Sequence, residues 1–127
     1  MGIDFGAAYV RAGYMRAPDE VIVPHNREGT TATPAVVGFE EMEGGGASVF
    51  VGELAELMAQ AEPESCCKSV LWKLGVDTVA MVLQGKEYSP EQIAALILKK
   101  VARDAEEALK IEVGEIVSTY PAALDSE

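Results

Sequence analysis

The chain has 127 residues and a formal net charge of -11, from ten Lys and Arg against twenty-one Asp and Glu. Hydrophobic residues make up 49% and charged residues 24%, a globular balance that excludes disorder by composition. The scarcity of clustered cations argues against nucleic acid and against an anionic membrane surface as partners.

The N-terminal Met1-Gly2-Ile3-Asp4-Phe5-Gly6 has no basic or long apolar segment, so no secretory signal is read there. Gly2 would suit myristoylation only with Ser or Thr where Gly6 stands. Gly2-Ile3-Asp4-Phe5 is a short apolar strand and Gly6-Ala7-Ala8 a small-residue break. Residues 9–15 then alternate, with Val10, Ala12 and Tyr14 on one face and Arg11, Gly13 and Met15 on the other, which predicts a hairpin. Ala17-Pro18-Asp19 is a turn and Glu20-Val21-Ile22-Val23 another strand. Residues 25–34 are a polar loop holding the sole histidine, His25, read as solvated.

Ala35-Val36-Val37-Gly38-Phe39 is a strand, 40–46 a glycine-rich hairpin tip, and 48–51 the returning strand. Residues 53–61 read as a helix with Leu54, Leu57, Met58 and Ala61 on its apolar face, ended before Pro63. Between positions 28 and 67 stand eight acidic residues and no basic one, read as a solvated surface. Residues 65–74 are a second helix candidate closed by Gly75. It contains the only cysteines, Cys66 and Cys67, expected as reduced thiols because neighbours in sequence close only a strained ring. As half of a metal site they lack a second ligand pair in the chain.

Residues 79–83 and Lys86-Glu87-Tyr88, joined at Gln84-Gly85, read as an apolar segment and a returning strand. Ser89-Pro90-Glu91-Gln92 has the form of a capping box with proline at the first helical position. The helix that follows carries an apolar stripe of Ile93, Leu96, Ile97, Val101, Ala105, Ala108 and Leu109. Lys99, Lys100, Arg103, Asp104, Glu106 and Glu107 fill its outer face. Gly114 punctuates, 115–120 is a closing strand, and Pro121 ends it. Strands, then helices, then a strand predict an α/β fold on a mixed sheet. No apolar run approaches the ~18 residues of a membrane span.

Chemistry concentrates at one place. There is no nucleophile elbow, no G-x-x-x-x-G-K loop and no G-x-G-x-x-G. Asp4 ends a buried strand and is followed by Gly6-Ala7-Ala8-Tyr9, a turn almost without side chains. Such a turn can present consecutive backbone N–H groups to phosphate oxygens, and a nearby Asp can hold Mg2+ through water. A plain tight hairpin whose Asp bonds the backbone is the alternative on this stretch alone. With no basic cluster near Asp4, phosphates are expected to be attracted only by backbone N–H groups and a metal.

The motif Gly2-Ile3-Asp4-Phe5-Gly6-Ala7-Ala8-Tyr9 resembles the first phosphate loop of the seventy-kilodalton heat-shock (DnaK-type) chaperones, roughly G-I-D-L-G-T-T. Asn26, Gly29 and Thr33-Pro34-Ala35-Val36-Val37-Gly38-Phe39 resemble the family's segment ending T-P-S-x-V-x-F. Gly52-Glu53-Leu54-Ala55, the 89–109 helix and Val117-Ser118-Thr119-Tyr120-Pro121-Ala122 resemble further family segments in the same order. The first loop would suit any member of the actin, sugar-kinase and heat-shock superfamily, and the T-P-A-V-V-G-F and T-Y-P-A segments select the heat-shock branch.

The resemblance implies an actin-like, ribonuclease H-type ATPase lobe, of which residues 1–127 are the N-terminal portion with a trimmed outer subdomain. It implies ATP or ADP as cofactor, Gly6, Ala7, Ala8 and Tyr9 around the phosphates, and Mg2+ at Asp4 through water. It implies unfolded or nascent polypeptides and co-chaperones as partners, in the cytoplasm. Two departures stand out. The family's two loop threonines are Ala7 and Ala8 here, and its catalytic lysine position falls on Leu71, with Lys68 and Lys73 nearby but out of register. A degenerate scaffold or ribosome-associated co-chaperone, or another superfamily member such as a small-molecule kinase, are the other readings. The second phosphate loop, the remaining catalytic acids and the peptide-binding domain are expected beyond Glu127. The chain alone is therefore expected to show no ATPase activity and weak or absent nucleotide binding.

Overall fold

In a computed structural model the protein is described at residues 2–6, 8–68, 70–74, 79–83, 86–110 and 117–119. The strands are β1 (Gly2–Phe5), β2 (Tyr9–Ala17), β3 (Glu20–Ile22), β4 (Thr33–Pro34), β5 (Val36–Glu41), β6 (Ala47–Val51), β7 (Cys66–Lys68), β8 (Met81–Leu83), β9 (Lys86–Tyr88) and β10 (Val117–Thr119). Two α-helices join them, α1 (Glu53–Ala61) and α2 (Pro90–Leu109). The largest sheet has five strands in the order β10-β1-β2-β3, with β4 also on β2. It is mixed: β10 runs parallel to β1, and β2 antiparallel to both β1 and β3. A second sheet is ordered β6-β5-β7, and β8 with β9 forms a separate hairpin.

One core joins these layers. Ile3, Phe5, Val10 and Ala12 of the first sheet meet Ala35, Val37 and Phe39 of the second strand group, and α2 lays Ile93, Ile97, Val101 and Ala105 against them. The 3.6-residue spacing of those α2 positions puts them on one face. Ala94 and Asp104 are also buried there, while Ala108, expected in the stripe, is exposed. The capping box forms as the sequence predicts: Gln92 N–H donates to Ser89 Oγ at 3.1 Å, and Ser89 N–H to Gln92 Oε1 at 2.8 Å. Among the described residues no helix is long and apolar enough to cross a membrane.

Three sequence expectations are corrected. Helix α1 has the predicted bounds but a different inner face: Ala55 and Ala59 are buried, whereas Leu54 and Leu57 are 55% and 56% exposed. Gly38 explains the rotation. A Cβ there would come within 3.1 Å of Met58 Sδ, 3.2 Å of Cys66 Sγ and 3.5 Å of Ala55 Cβ, so α1 lies too close to β5 for leucines to fit between. The 65–74 helix does not form. Cys66–Lys68 is a strand on the open edge of β5, with Val36 opposite Lys68, followed by a short 3-10 turn at Val70–Lys73. Thr33–Pro34, read as loop, pairs with the start of β2. The predicted features at Gly75, Gln84-Gly85, Gly114 and Pro121 lie outside the described residues.

The 25–33 loop is organised around Asn26. Its Nδ2 donates to Thr30 Oγ1 at 2.9 Å and Thr33 Oγ1 at 3.0 Å, and its Oδ1 accepts from Thr30 N–H at 2.8 Å. Asp104, expected on the outer face of its helix, is only 7% exposed and fastens this loop to α2. Its Oδ2 accepts from Arg27 N–H at 3.2 Å and from Lys100 Nζ at 2.5 Å, and Lys100 Nζ also reaches Glu28 Oε1 at 3.1 Å. Asp104→Ala is expected to lower unfolding stability in urea by about 1–3 kcal/mol, because it leaves the part-buried Arg27 amide without its acceptor and Lys100 with Glu28 alone. Glu28→Ala, at the wetter end of the network, is expected to cost about 1 kcal/mol or less.

Candidate functional site

The candidate site is the β1–β2 turn. In register Gly2 faces Gly13, Asp4 faces Arg11 and Phe5 faces Val10. Because side chains alternate along a strand, the fully buried Phe5 and Val10 point into the core while Asp4 and Arg11 share the opposite, exposed face. The hairpin and this alternation match the sequence expectation. Asp4 is also in register with Thr119 of β10, so its strand is flanked on both edges.

Gly6 N–H donates to the Tyr9 carbonyl at 2.9 Å. This amide, expected among the donors open to a guest, is bonded within the turn. Gly6 instead serves by its lack of a side chain, since a Cβ would sit 2.9 Å from Tyr9 O. Ala7 lies outside the described residues. Ala8 and Tyr9 are exposed. The far side of the turn is pinned by Ala35 N–H, which donates to the Ala8 carbonyl at 2.9 Å, and by the pairing of Tyr9 with Pro34 and Val10 with Thr33. The Thr33-Pro34-Ala35 segment is thus the clamp on the loop, a role its sequence did not signal.

The remaining candidates sit elsewhere. Lys68 is exposed on β7, in the other sheet. Lys73 lies in the 3-10 turn and its Nζ donates to the Ala80 carbonyl at 3.1 Å. Leu71 falls in the same turn. The register sets one cation, Arg11, directly across from Asp4.

Cys66 and Cys67 are free thiols. Cys67 is buried, and that burial pushes its pKa up, partly opposed by Lys73. Cys66 is raised by burial first and by the nearby Glu62 carboxylate second, and its Sγ–H donates to the Ala55 carbonyl at 3.6 Å. Among the described residues no group of three or more His, Cys, Asp or Glu assembles as a metal site.

Comparison with known proteins gives a consistent result. A family model described as "Hsp70 protein" matches residues 1–126. The chain is 37% identical over 122 residues to the chaperone protein DnaK of Thermosipho africanus, covering 96% of this chain and 20% of that relative. The same coverage holds for DnaK of Thermosipho melanesiensis at 36% identity and of Thermotoga maritima at 37%. The chain therefore spans about one fifth of the length of the curated relatives it matches. A match from end to end, over a chain whose first hairpin and Thr33-Pro34-Ala35 clamp are built from the segments that carried the resemblance, places the chain in the Hsp70 family.

Proposed function

We propose that residues 1–127 form the N-terminal portion of an actin-like, ribonuclease H-type nucleotide-binding lobe, with a trimmed outer subdomain, and contribute its first phosphate loop. Asp4, Gly6, Ala7, Ala8 and Tyr9 surround the phosphates of ATP or ADP. Asp4 orients Mg2+ through its water shell, and the ion when bound would offset phosphate charge. The protein carrying this lobe couples nucleotide to the handling of unfolded or nascent polypeptides, with co-chaperones, in the cytoplasm.

The observation that carries this reading is the turn itself. A glycine is required by the 2.9 Å approach to Tyr9 O, the next described residues are exposed, and a carboxylate stands on the exposed face just before them. The donor set suits the group: backbone amides for phosphate oxygens, one exposed carboxylate for hydrated Mg2+.

A second reading, a nucleotide-binding scaffold without turnover, is favoured by four positions. Ala7 and Ala8 offer no hydroxyl to phosphate or metal-bound water, the family lysine position is Leu71, and Lys73 is engaged by the Ala80 carbonyl. Losing hydrogen bonds to charged groups costs about 1.5–3 kcal/mol each. Single-turnover ATP hydrolysis by the complete gene product separates the two. Turnover that is abolished by Asp4→Asn supports an ATPase and removes the scaffold reading. Bound ATP that stays unhydrolysed supports the scaffold.

A further inference from the structure

Arg11 lies on the same face of the β1–β2 hairpin as Asp4 and directly across from it in register. Opposed residues of an antiparallel pair hold their Cβ atoms about 4.5–5.5 Å apart. Arg11 is exposed, and it stands two residues past Tyr9, about 7 Å along the strand at ~3.4 Å per residue. By the same alternation the exposed residues Asp4, Tyr9 and Arg11 lie on one face of the hairpin, next to the turn at residues 6–9. In a chain with net charge -11 this cation is set where a phosphate would otherwise meet a carboxylate. Guanidinium is always protonated and matches phosphate oxygens with two parallel N–H donors.

We propose that Arg11 is a second phosphate-binding group of this site, supplying from the protein part of the positive charge that a divalent ion would otherwise have to bring. The inference rests on the phosphate-loop reading and goes beyond it in two respects. Polyphosphate nucleotide binding is partly independent of metal, and Arg11 also balances Asp4 when no phosphate is present. The two departures at Ala7 and Ala8 fit this arrangement, because a charge-assisted contact from Arg11 offsets lost hydroxyl contacts.

The test is calorimetric titration of ATP into the complete gene product, with Mg2+ and with EDTA, for the wild type, Arg11→Ala and Arg11→Lys. The expected result has three parts. The wild type keeps measurable ATP affinity in EDTA, Arg11→Ala weakens it at least tenfold there and less with Mg2+, and Arg11→Lys recovers part of the loss. A purely structural effect would not change the ratio of the two affinities. Unchanged affinity of Arg11→Ala in both conditions, with a wild type that binds, overturns the role of Arg11 and leaves the phosphate loop standing. A wild type that binds ATP in neither condition overturns the phosphate-loop reading and this inference with it.

Discussion

Phe5→Ala is expected to lower the unfolding free energy by about 3–5 kcal/mol. Phe5 has no exposed surface and is among the largest fully buried side chains of the chain. It packs with Ile3, Val10 and the α2 residues in the core that joins both sheets, so its removal opens a cavity that several rigid elements would have to move to fill. Domains of this size have roughly 5–15 kcal/mol in all. The variant is therefore expected to keep a much smaller stability margin, with its urea midpoint moved far down. Phe5 also immediately precedes Gly6, so the same substitution loosens the turn that forms the candidate site. A loss below about 1 kcal/mol would mean that the core under the loop is not packed as described.

Gly52→Ala is expected to cost about 2–6 kcal/mol. Gly52 caps α1 with φ 94 and ψ -135, a backbone region that is essentially limited to glycine, where strain costs about 1–3 kcal/mol. A Cβ would also come within 3.0 Å of Thr33 Cγ2 and 3.4 Å of Lys100 Cε, and overpacking adds about 1–3 kcal/mol. Both neighbours belong to the structure behind the loop: Thr33 pairs with β2, and Lys100 bridges Glu28 and Asp104. Gly29→Ala is the matched control. Gly29 has φ 90 but nothing within 4 Å of a new Cβ, so only the left-handed strain, about 1–2 kcal/mol, is expected. Denaturant unfolding of the pair separates backbone strain from contact. Equal losses would show that Thr33 and Lys100 do not confine Gly52.

What could be read in advance was local. The Ser89-Pro90-Glu91-Gln92 box lies within four residues and forms as written. The hairpins at Gly6-Ala7-Ala8 and around 42–46 follow from small residues between alternating strands. What could not be read depended on residues distant in sequence. The rotation of α1 is set by Gly38 on a strand below it, and leucine spacing within the helix carries no trace of that. Cys66-Cys67-Lys68 became a strand because β5 offered an open edge, a partner about thirty residues away in sequence. Asp104 looks solvated by helical phase, yet the backbone of a loop seventy-seven positions earlier needs its carboxylate. The site was half legible. Asp4 and the small turn stood out, whereas the Ala35 clamp and the spent Gly6 amide needed coordinates. The opposition of Asp4 and Arg11 follows from the same hairpin register as Phe5 and Val10, and was available once the turn was placed.

The most direct measurement is Mg-ATP binding to the complete gene product and to its Asp4→Asn variant by titration calorimetry. A phosphate loop at 4–9 predicts micromolar binding by the wild type and at least a tenfold loss in Asp4→Asn, with the urea midpoint of the variant little changed because Asp4 is exposed. No binding by the wild type, or equal binding by the two, would contradict the assignment of this turn to nucleotide phosphates.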